Sequence, residues 1–159
     1  ALRGMGYNVI GWSRTPKDFD EIQSFDGLDG LEKFLTRTQI LVCLLPLTPE
    51  TDGILGRGTF NRMPNGSAVI NVGRGGHLIE QDLIAALDKG KVEVAVLDVF
   101  NEEPLPVDNP LWEHPRVFVT PHIASVTTPE SAIVSVAEAI NEMRKGWPYT
   151  NLVDPDLGY

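Results

Sequence analysis

The segment SAVINVGRGG, residues 67–76, decides the fold of this 159-residue chain. Its first six residues are mostly apolar and predict a buried strand, and the glycines that follow predict a sharp turn. Apolar side chains then recur with helical spacing at Leu83, Ile84 and Leu87, and a further buried strand is predicted over residues 92–98. Strand, turn, helix and strand in this order predict parallel strands joined by a crossover helix.

The same alternation extends to both sides of this unit. Further strands are predicted at residues 8–12, 39–44 and 116–120, and helices at residues 28–35 and from Pro129 onward, with Thr128 as the cap. The strands are continuous apolar runs rather than alternating ones. This pattern indicates an α/β fold, a Rossmann-type doubly wound parallel sheet covered on both faces. Such sheets bind ligands outside the carboxyl ends of their strands.

Composition and charge narrow the possible partners. Hydrophobic residues make up 42% of the chain, and the formal net charge is −9. This acidity argues against nucleic acid or an anionic membrane as the main partner. There is no apolar run of about 18 residues that could span a membrane, and Cys43, the single cysteine, cannot form a disulfide within the chain. We therefore expect one domain that works in the reducing cytoplasm.

A basic turn follows the first predicted strand. It contains Ser13, Arg14 and Lys17, and the nearest acidic residue, Asp18, lies beyond it. In a dinucleotide-binding fold an acid near this strand end binds the ribose 2′-hydroxyl, whereas an arginine accommodates a 2′-phosphate. The turn therefore favours NADP over NAD. The alternative is a charged turn that only faces solvent.

A loop with two prolines follows the strand at residues 39–44. Its position at a strand end favours a wall that lines the cofactor, formed by Leu45 and Pro46, with the hydroxyl of Thr51 available to the ligand. The alternative is a rigid connector, which is the commoner role of proline-rich loops.

Three polar residues follow three successive predicted strands. Arg74 supplies a cation with a planar fork suited to a carboxylate, His122 supplies a titratable imidazole, and Glu103 supplies an acid that can orient it. Each residue alone is also compatible with an ordinary surface position. Together, at one edge of one sheet, they predict the reversible reduction of a ketone on an anionic substrate.

Four motifs together resemble the D-isomer-specific 2-hydroxyacid dehydrogenase family. They are LPLTPETDGI at residues 45–54, NVGRGGHL at 71–78, LDVFNEEPLP at 97–106, and NPLW at 109–112 continuing to TPHIA at 120–124. Within the family, WSRTPK at residues 12–17 and DPDLGY at 154–159 are most similar to the bacterial glyoxylate/hydroxypyruvate reductase A branch.

The resemblance implies a role for each matching residue. Arg74 would bind the substrate carboxylate and polarise the ketone, His122 would donate a proton to the carbonyl oxygen as hydride arrives from the nicotinamide, and Glu103 would hold the imidazolium. The remaining cofactor-binding positions that it implies are Val72, Gly73, Asp98 and Ala124. No metal site is expected.

The resemblance also implies an incomplete site. The family's first strand and its glycine-rich phosphate loop would lie before Ala1, so residues 1–147 would form an N-terminally incomplete dinucleotide-binding domain. Residues 148–159 would return toward an absent substrate domain. We expect NADPH-dependent reduction of glyoxylate to glycolate and of hydroxypyruvate to D-glycerate by a full-length homodimer. The alternatives are a non-enzymatic NAD(H)-sensing regulator of the same family and an inactive fragment.

Overall fold

The computed structural model describes residues 1–19, 21–125 and 128–146. In chain order the regular elements are a 3₁₀ turn at Leu2–Met5, β1 (Ile10–Ser13), β2 (Gln23–Asp26), α1 (Gly27–Leu35), β3 (Ile40–Cys43), α2 (Arg57–Arg62), β4 (Ser67–Asn71), a 3₁₀ turn at Gly75–His77, α3 (Glu80–Asp88), β5 (Val92–Leu97), β6 (Val117–Val119) and α4 (Pro129–Arg144). The predicted tail at 148–159 lies outside the described residues.

All strand pairs are parallel. β1 pairs with β2 in a two-stranded sheet, and β3, β4, β5 and β6 form a four-stranded sheet in that order. Helices connect β2 to β3, β3 to β4 and β4 to β5, whereas loops connect β1 to β2 and β5 to β6. The predicted α/β class with a parallel, Rossmann-type sheet is confirmed. Within the described residues, β1 and β3 each pair with a strand on one side only.

One face of the four-stranded sheet carries the core. Every second residue of β4 is buried, because successive side chains of a strand point to opposite faces. α3 packs against β5 and α2 on the buried face. The largest fully buried apolar side chains are Leu35, Phe60, Met63, Val69, Leu83, Leu87, Val92, Leu97, Val99 and Leu111.

The opposite face of this sheet is more open than the sequence suggested. Ile40 and Val42 on β3 and Phe118 on β6 are 49%, 37% and 59% exposed. Continuous apolar strands led us to expect cover on both faces. Among the described residues the burial alternates instead, as on β3, where Leu41 and Cys43 are buried between their exposed neighbours.

Two short elements escaped the sequence analysis. The strand β2 reads QSFD, and its single apolar residue gives no strand signal. The helix α2 is only six residues long and contains Gly58, a poor helix former. The structure also has a short element at the start of the chain, residues 2–5. They form a 3₁₀ turn that ends at Gly6, whose φ of 89° is left-handed.

The parallel arrangement brings the predicted site together. β3, β4, β5 and β6 are neighbours and run in the same direction, so their carboxyl ends lie along one edge of the sheet. Pro46 follows β3, Arg74 follows β4, Asp98 follows β5 and His122 follows β6. Every predicted catalytic loop therefore starts from the edge at which such sheets bind ligands.

Candidate active site

Glu103 and His122 form a hydrogen-bonded pair. His122 Nδ1 lies 2.7 Å from Glu103 Oε2, and the other carboxylate oxygen accepts a 2.9 Å hydrogen bond from the backbone N–H of Phe100. The hydrogen bond from His122, followed by that from Phe100, lowers the pKa of Glu103. The ionised carboxylate fixes the ring and leaves Nε2 as the nitrogen that faces away from it. The His122 side chain is 49% exposed, so a ligand can reach that nitrogen.

The backbone at His122 adopts a left-handed conformation with φ of 54°. A residue with a Cβ atom pays about 1–2 kcal/mol for this conformation, so neighbouring contacts must hold it. Asp98 supplies them. Its carboxylate accepts hydrogen bonds from the Thr120 hydroxyl at 2.5 Å and from the backbone N–H groups of Ile123 at 3.0 Å and Ala124 at 2.8 Å.

Asp98 is buried, with 2% of its surface exposed, yet it is held as a carboxylate. Burial alone would raise its pKa. The hydrogen bonds from Thr120 and from the N–H groups of Ile123 and Ala124 outweigh burial, and the pKa is lowered. The sequence analysis placed Asp98 and Ala124 on the cofactor. In the structure the backbone N–H of Ala124 donates to the Asp98 carboxylate, and Asp98 anchors the loop that carries His122.

Arg74 stands on a turn that is fixed from both sides. Asn71 donates from Nδ2 to the Arg74 carbonyl at 3.0 Å, and its Oδ1 accepts from Gly73 N at 3.2 Å. The Arg74 N–H donates to His77 Nδ1 at 3.0 Å. The Arg74 side chain is exposed, and its guanidinium donates to the Gly73 carbonyl at 2.7 Å. Within the described residues the guanidinium makes no second hydrogen bond, so its other N–H groups can donate to a ligand.

Gly75 joins the arginine turn to the loop of Glu103. A Cβ atom at position 75 would lie 1.9 Å from the carbonyl carbon of Phe100 and 2.3 Å from the nitrogen of Asn101. Only glycine permits this contact between two backbones. Phe100 also donates to Glu103, so a single contact ties the turn of Arg74 to the acid that holds His122.

The loop after β3 is closed by its own threonines. The Thr51 hydroxyl donates to the Pro46 carbonyl at 2.7 Å and accepts from Thr48 N at 2.8 Å. The Thr51 hydroxyl, which was predicted to be available to a ligand, therefore forms hydrogen bonds within the loop. A Cβ atom on Gly73 would lie 3.3 Å from the Leu45 carbonyl, so this loop touches the turn that carries Arg74.

The basic turn after β1 faces solvent. Ser13 Oγ donates to the Thr15 carbonyl at 2.7 Å, and Arg14 and Lys17 are exposed. The pKa of Glu50, in the loop after β3, is lowered first by the hydrogen bond from Thr48 and to a smaller degree by the positive charge of Arg14. Arg14 therefore lies close enough to the loop of Pro46 for its charge to be felt there.

Asn71 and His77 are the structural residues of the site that the sequence analysis did not assign. Both are fully buried. A signal for Asn71 was present, since a polar residue at the end of a buried strand must find hydrogen-bond partners. For His77 no comparable signal was present. Its hydrogen bonds depend on a turn whose geometry one sequence does not reveal.

The described residues lack two further features. Within the ranges that the structure covers, no group of three or more histidine, cysteine, aspartate or glutamate side chains is arranged to hold a metal ion. None of the helices described is both long and apolar enough to cross a bilayer.

The fold and the site correspond to a dinucleotide-binding domain of an oxidoreductase family. Residues 1–124 match the family model described as "D-isomer specific 2-hydroxyacid dehydrogenase, NAD binding domain". The chain belongs to this family of NAD(P)-dependent dehydrogenases. The resemblance inferred from the motifs is confirmed at this level.

Solved structures of three relatives agree with this assignment. A D-isomer specific 2-hydroxyacid dehydrogenase from Xanthobacter autotrophicus Py2, in complex with NADPH and MES, is 46% identical, with a TM-score of 0.95 over 99% of this chain and 65% of its own. A probable 2-hydroxyacid dehydrogenase from Rhizobium etli CFN 42, in complex with NADP, HEPES and L(+)-tartaric acid, is 41% identical, with a TM-score of 0.90 over 99% of this chain and 51% of its own.

The third relative carries a specific activity in its name. It is an NADPH-dependent glyoxylate/hydroxypyruvate reductase from Sinorhizobium meliloti in complex with NADP and sulfate, 40% identical, with a TM-score of 0.91 over 99% of this chain and 51% of its own. The present chain therefore spans about half to two thirds of the length of these relatives.

Proposed function

We propose that the whole protein containing this chain reduces small 2-ketoacids with NADPH, and that glyoxylate and hydroxypyruvate are its substrates. The observation that carries the proposal is the 2.7 Å pair of Glu103 and His122 at the sheet edge from which Arg74 also projects. The similarity to a glyoxylate/hydroxypyruvate reductase that binds NADP supports the choice of substrate and cofactor.

Each residue of the proposed site has one task. The guanidinium of Arg74 binds the substrate carboxylate, because its planar fork matches two carboxylate oxygens. The cofactor supplies the hydride. His122 donates a proton from Nε2 to the ketone oxygen, which becomes the hydroxyl of the product. Glu103 stays ionised, holds the ring through Nδ1 and stabilises its positive charge before the proton leaves.

The cofactor would lie along the same edge of the sheet. We propose that Ser13, Arg14 and Lys17 face the 2′-phosphate of NADP, and that Leu45, Pro46 and Thr51 line the side of the cofactor. The backbone of Val72 and Gly73, with Asp98 and Ala124, would border the nicotinamide. Two positive charges in the turn after β1 favour a phosphate there over a ribose hydroxyl.

The domain assignment is part of the proposal. Residues 1–147 would act as the dinucleotide-binding domain, and residues 148–159 would lead toward a substrate-binding domain. Catalysis by the whole protein, as a homodimer, would then need residues outside this chain. The 159 residues alone would not reduce a ketoacid. Steady oxidation of NADPH by the isolated chain would contradict this part of the proposal.

The decisive experiment measures NADPH oxidation by the whole protein with glyoxylate and with hydroxypyruvate. Arg74→Ala is expected to lower kcat/KM by about 30-fold or more, because the bound substrate carboxylate would lose the charged group that it pairs with. Arg62→Ala, which removes an exposed arginine of α2, is the matched control. A wild-type protein that binds the dinucleotide and turns over neither ketoacid would overturn the proposal in favour of a regulatory role.

The choice of cofactor is tested separately. Arg14→Ser is expected to raise the KM for NADPH by about tenfold and to leave the KM for NADH nearly unchanged, because only NADPH carries the phosphate. Lys33→Ala, at an exposed position of α1, is the control. Equal effects on both cofactors would indicate that the turn only faces solvent.

A further inference from the structure

We propose that His77 is a positioning residue, which holds the backbone of Arg74 and links it to the loop of Pro46. The inference rests on the proposed function, since it concerns how the carboxylate-binding arginine is placed. His77 itself cannot reach a substrate, because its side chain is fully buried.

The hydrogen bonds of the ring define its protonation. The N–H of Arg74 points to His77 Nδ1 at 3.0 Å. The same nitrogen lies 3.1 Å from the carbonyl oxygen of Arg74, but that oxygen already accepts from Asn71 Nδ2 and from the backbone N–H of His77. Because the N–H of Arg74 can only donate, Nδ1 is assigned as its acceptor and the ring proton is assigned to Nε2. Nε2 is 3.2 Å from the carbonyl oxygen of Pro46, to which it can donate. The ring therefore has one distinct task on each nitrogen.

The turn of Arg74 is built around this ring. A Cβ atom on Gly73 would lie 3.0 Å from Nδ1 and from Cε1 of His77, so the glycine backbone packs directly against the ring. Asn71 holds the carbonyl of Arg74 while His77 holds its N–H. With both backbone groups of Arg74 fixed, the starting direction of its exposed side chain is fixed as well.

The second nitrogen reaches a different loop. The carbonyl oxygen of Pro46 accepts hydrogen bonds from Nε2 of His77 and from the hydroxyl of Thr51. These two hydrogen bonds use both lone pairs of that oxygen. The turn after β4 and the loop after β3 are thereby joined through one buried ring. An apolar residue could fill the same space, but it would leave the N–H of Arg74 without its acceptor.

Three substitutions separate positioning from packing. His77→Asn keeps an acceptor for the N–H of Arg74 near the place of Nδ1 and loses the donor to the Pro46 carbonyl. His77→Gln keeps a donor to the Pro46 carbonyl near the place of Nε2 and loses the acceptor for Arg74. His77→Leu loses both groups. Kinetics of the whole protein with NADPH and glyoxylate are compared for all three. We expect the KM for glyoxylate to rise about tenfold in His77→Gln and His77→Leu, the effect of one lost buried hydrogen bond.

The conservative variant provides the rescue. His77→Asn is expected to stay within about threefold of the wild-type KM, because the N–H of Arg74 keeps a partner. Equal losses in His77→Asn and His77→Gln, or wild-type kinetics in His77→Leu, would overturn the proposal. If His77→Leu fails to fold, the comparison of the asparagine and glutamine variants still decides the question.

A spectroscopic measurement makes the test independent of catalysis. The ¹⁵N shifts of the His77 ring in the wild-type protein, recorded without substrate, identify which nitrogen carries the proton. We expect the proton on Nε2. A proton on Nδ1 would refute the positioning role even if the protein reduces glyoxylate. A wild-type protein with the expected tautomer and no turnover would refute the proposed function and leave the placement of Arg74 by His77 intact.

Discussion

Glu103 illustrates how one side chain can serve both the chemistry and the local structure. One of its oxygens binds His122 and the other binds the backbone N–H of Phe100. These two hydrogen bonds favour the ionised form, which is why the pKa of Glu103 is lowered even though it sits close to Asp98. A carboxylate with a lowered pKa holds its charge throughout the neutral range and can stabilise a protonated imidazole there.

Glu103→Gln is expected to lower kcat/KM for glyoxylate by about 10- to 100-fold. The amide can still accept from Phe100, but it carries no charge to stabilise a protonated ring, and hydrogen bonds to charged groups are worth about 1.5–3 kcal/mol. The whole protein is assayed with saturating NADPH. Glu102→Gln, at the exposed neighbouring position, should leave the rate unchanged. Similar losses in the two variants would argue against a specific role for Glu103.

Asp98→Asn is expected to destabilise the fold by about 1–3 kcal/mol at pH 7. The pKa of Asp98 is lower in the folded chain than in the unfolded one, so its stabilising effect is complete above the unfolded pKa of about 3.9 and is lost as the pH falls through the folded value. The difference between wild type and variant should therefore persist down to about pH 5 and shrink below about pH 4.

Urea unfolding of both proteins across this pH range measures the difference directly. Asp108→Asn is the matched control, since Asp108 is exposed and lies on a loop. A difference that grows toward acid pH would contradict the lowered pKa of Asp98.

At the scale of elements, the turn at Gly75–His77 joins three of the loops at the sheet edge. Gly75 touches the backbone of Phe100 next to the loop of Glu103, and His77 binds Pro46 in the loop after β3. Arg74 directly precedes the turn, in the segment that follows β4. The relative position of the proposed carboxylate site and the acid–base pair thus depends on the backbone contact between Gly75 and Phe100, to which Glu103 is hydrogen-bonded.

Gly75→Ala is expected to destabilise the protein by about 1–3 kcal/mol or more, since the added methyl group meets backbone atoms that have no rotamer to change. Gly58→Ala is the control. There the methyl group would meet only the end of the Arg62 side chain, at 3.3 Å, and alanine is favoured over glycine inside a helix. Equilibrium unfolding should show a lower free energy of unfolding for Gly75→Ala and no such decrease for Gly58→Ala. A stable Gly75→Ala variant would contradict the close approach.

Sequence reasoning was most successful where one local signal matched one element. The strands β4 and β5 and the helix α3 follow from apolar runs and helical spacing, with boundaries shifted by one to three residues. The strand-end positions of Arg74, Asp98 and His122 follow in turn from the parallel order of those strands. β2 was missed because it exists through pairing with β1 rather than through its own composition.

The hydrogen bonds inside the site could not be predicted in the same way. Asp98 binds residues 22 to 26 positions further along the chain, and His77 binds Pro46, 31 positions earlier. Such contacts depend on the crossing of distant loops, which one sequence does not encode in any local pattern. The types of residue at the site were predictable, but their division into ligand-facing and loop-holding groups was not.

At the scale of the whole molecule, two apolar surfaces stand out. The open face of the four-stranded sheet exposes Ile40, Val42 and Phe118, and α4 exposes Ile133 and Met143. Exposed apolar surfaces of this kind usually serve as interfaces. The net charge of −9 acts in the opposite direction, because like-charged molecules repel one another.

The isolated 159-residue chain is therefore expected to self-associate as salt is added. Salt screens the repulsion between the acidic molecules and leaves the apolar attraction in place. Light scattering should show a rising mean mass between about 0.01 and 1 M NaCl, over which the screening length falls from about 30 to 3 Å. Phe118→Ser should weaken the association, whereas Glu93→Gln on the same sheet should not. A constant mass at all salt concentrations would contradict the expectation.

The left-handed backbone of His122 also decides which substitution can stop the proposed proton transfer without disturbing the loop. Such a variant would allow a bound ketoacid to be captured before it reacts. Replacement by alanine would leave a residue that disfavours the φ of 54°, so the loop could relax and the pocket could change shape. Asparagine populates this region more readily than most residues and cannot donate a proton as an acid. His122→Asn is therefore the variant of choice for trapping an unreacted ternary complex in a crystal, with the loop still in its working conformation.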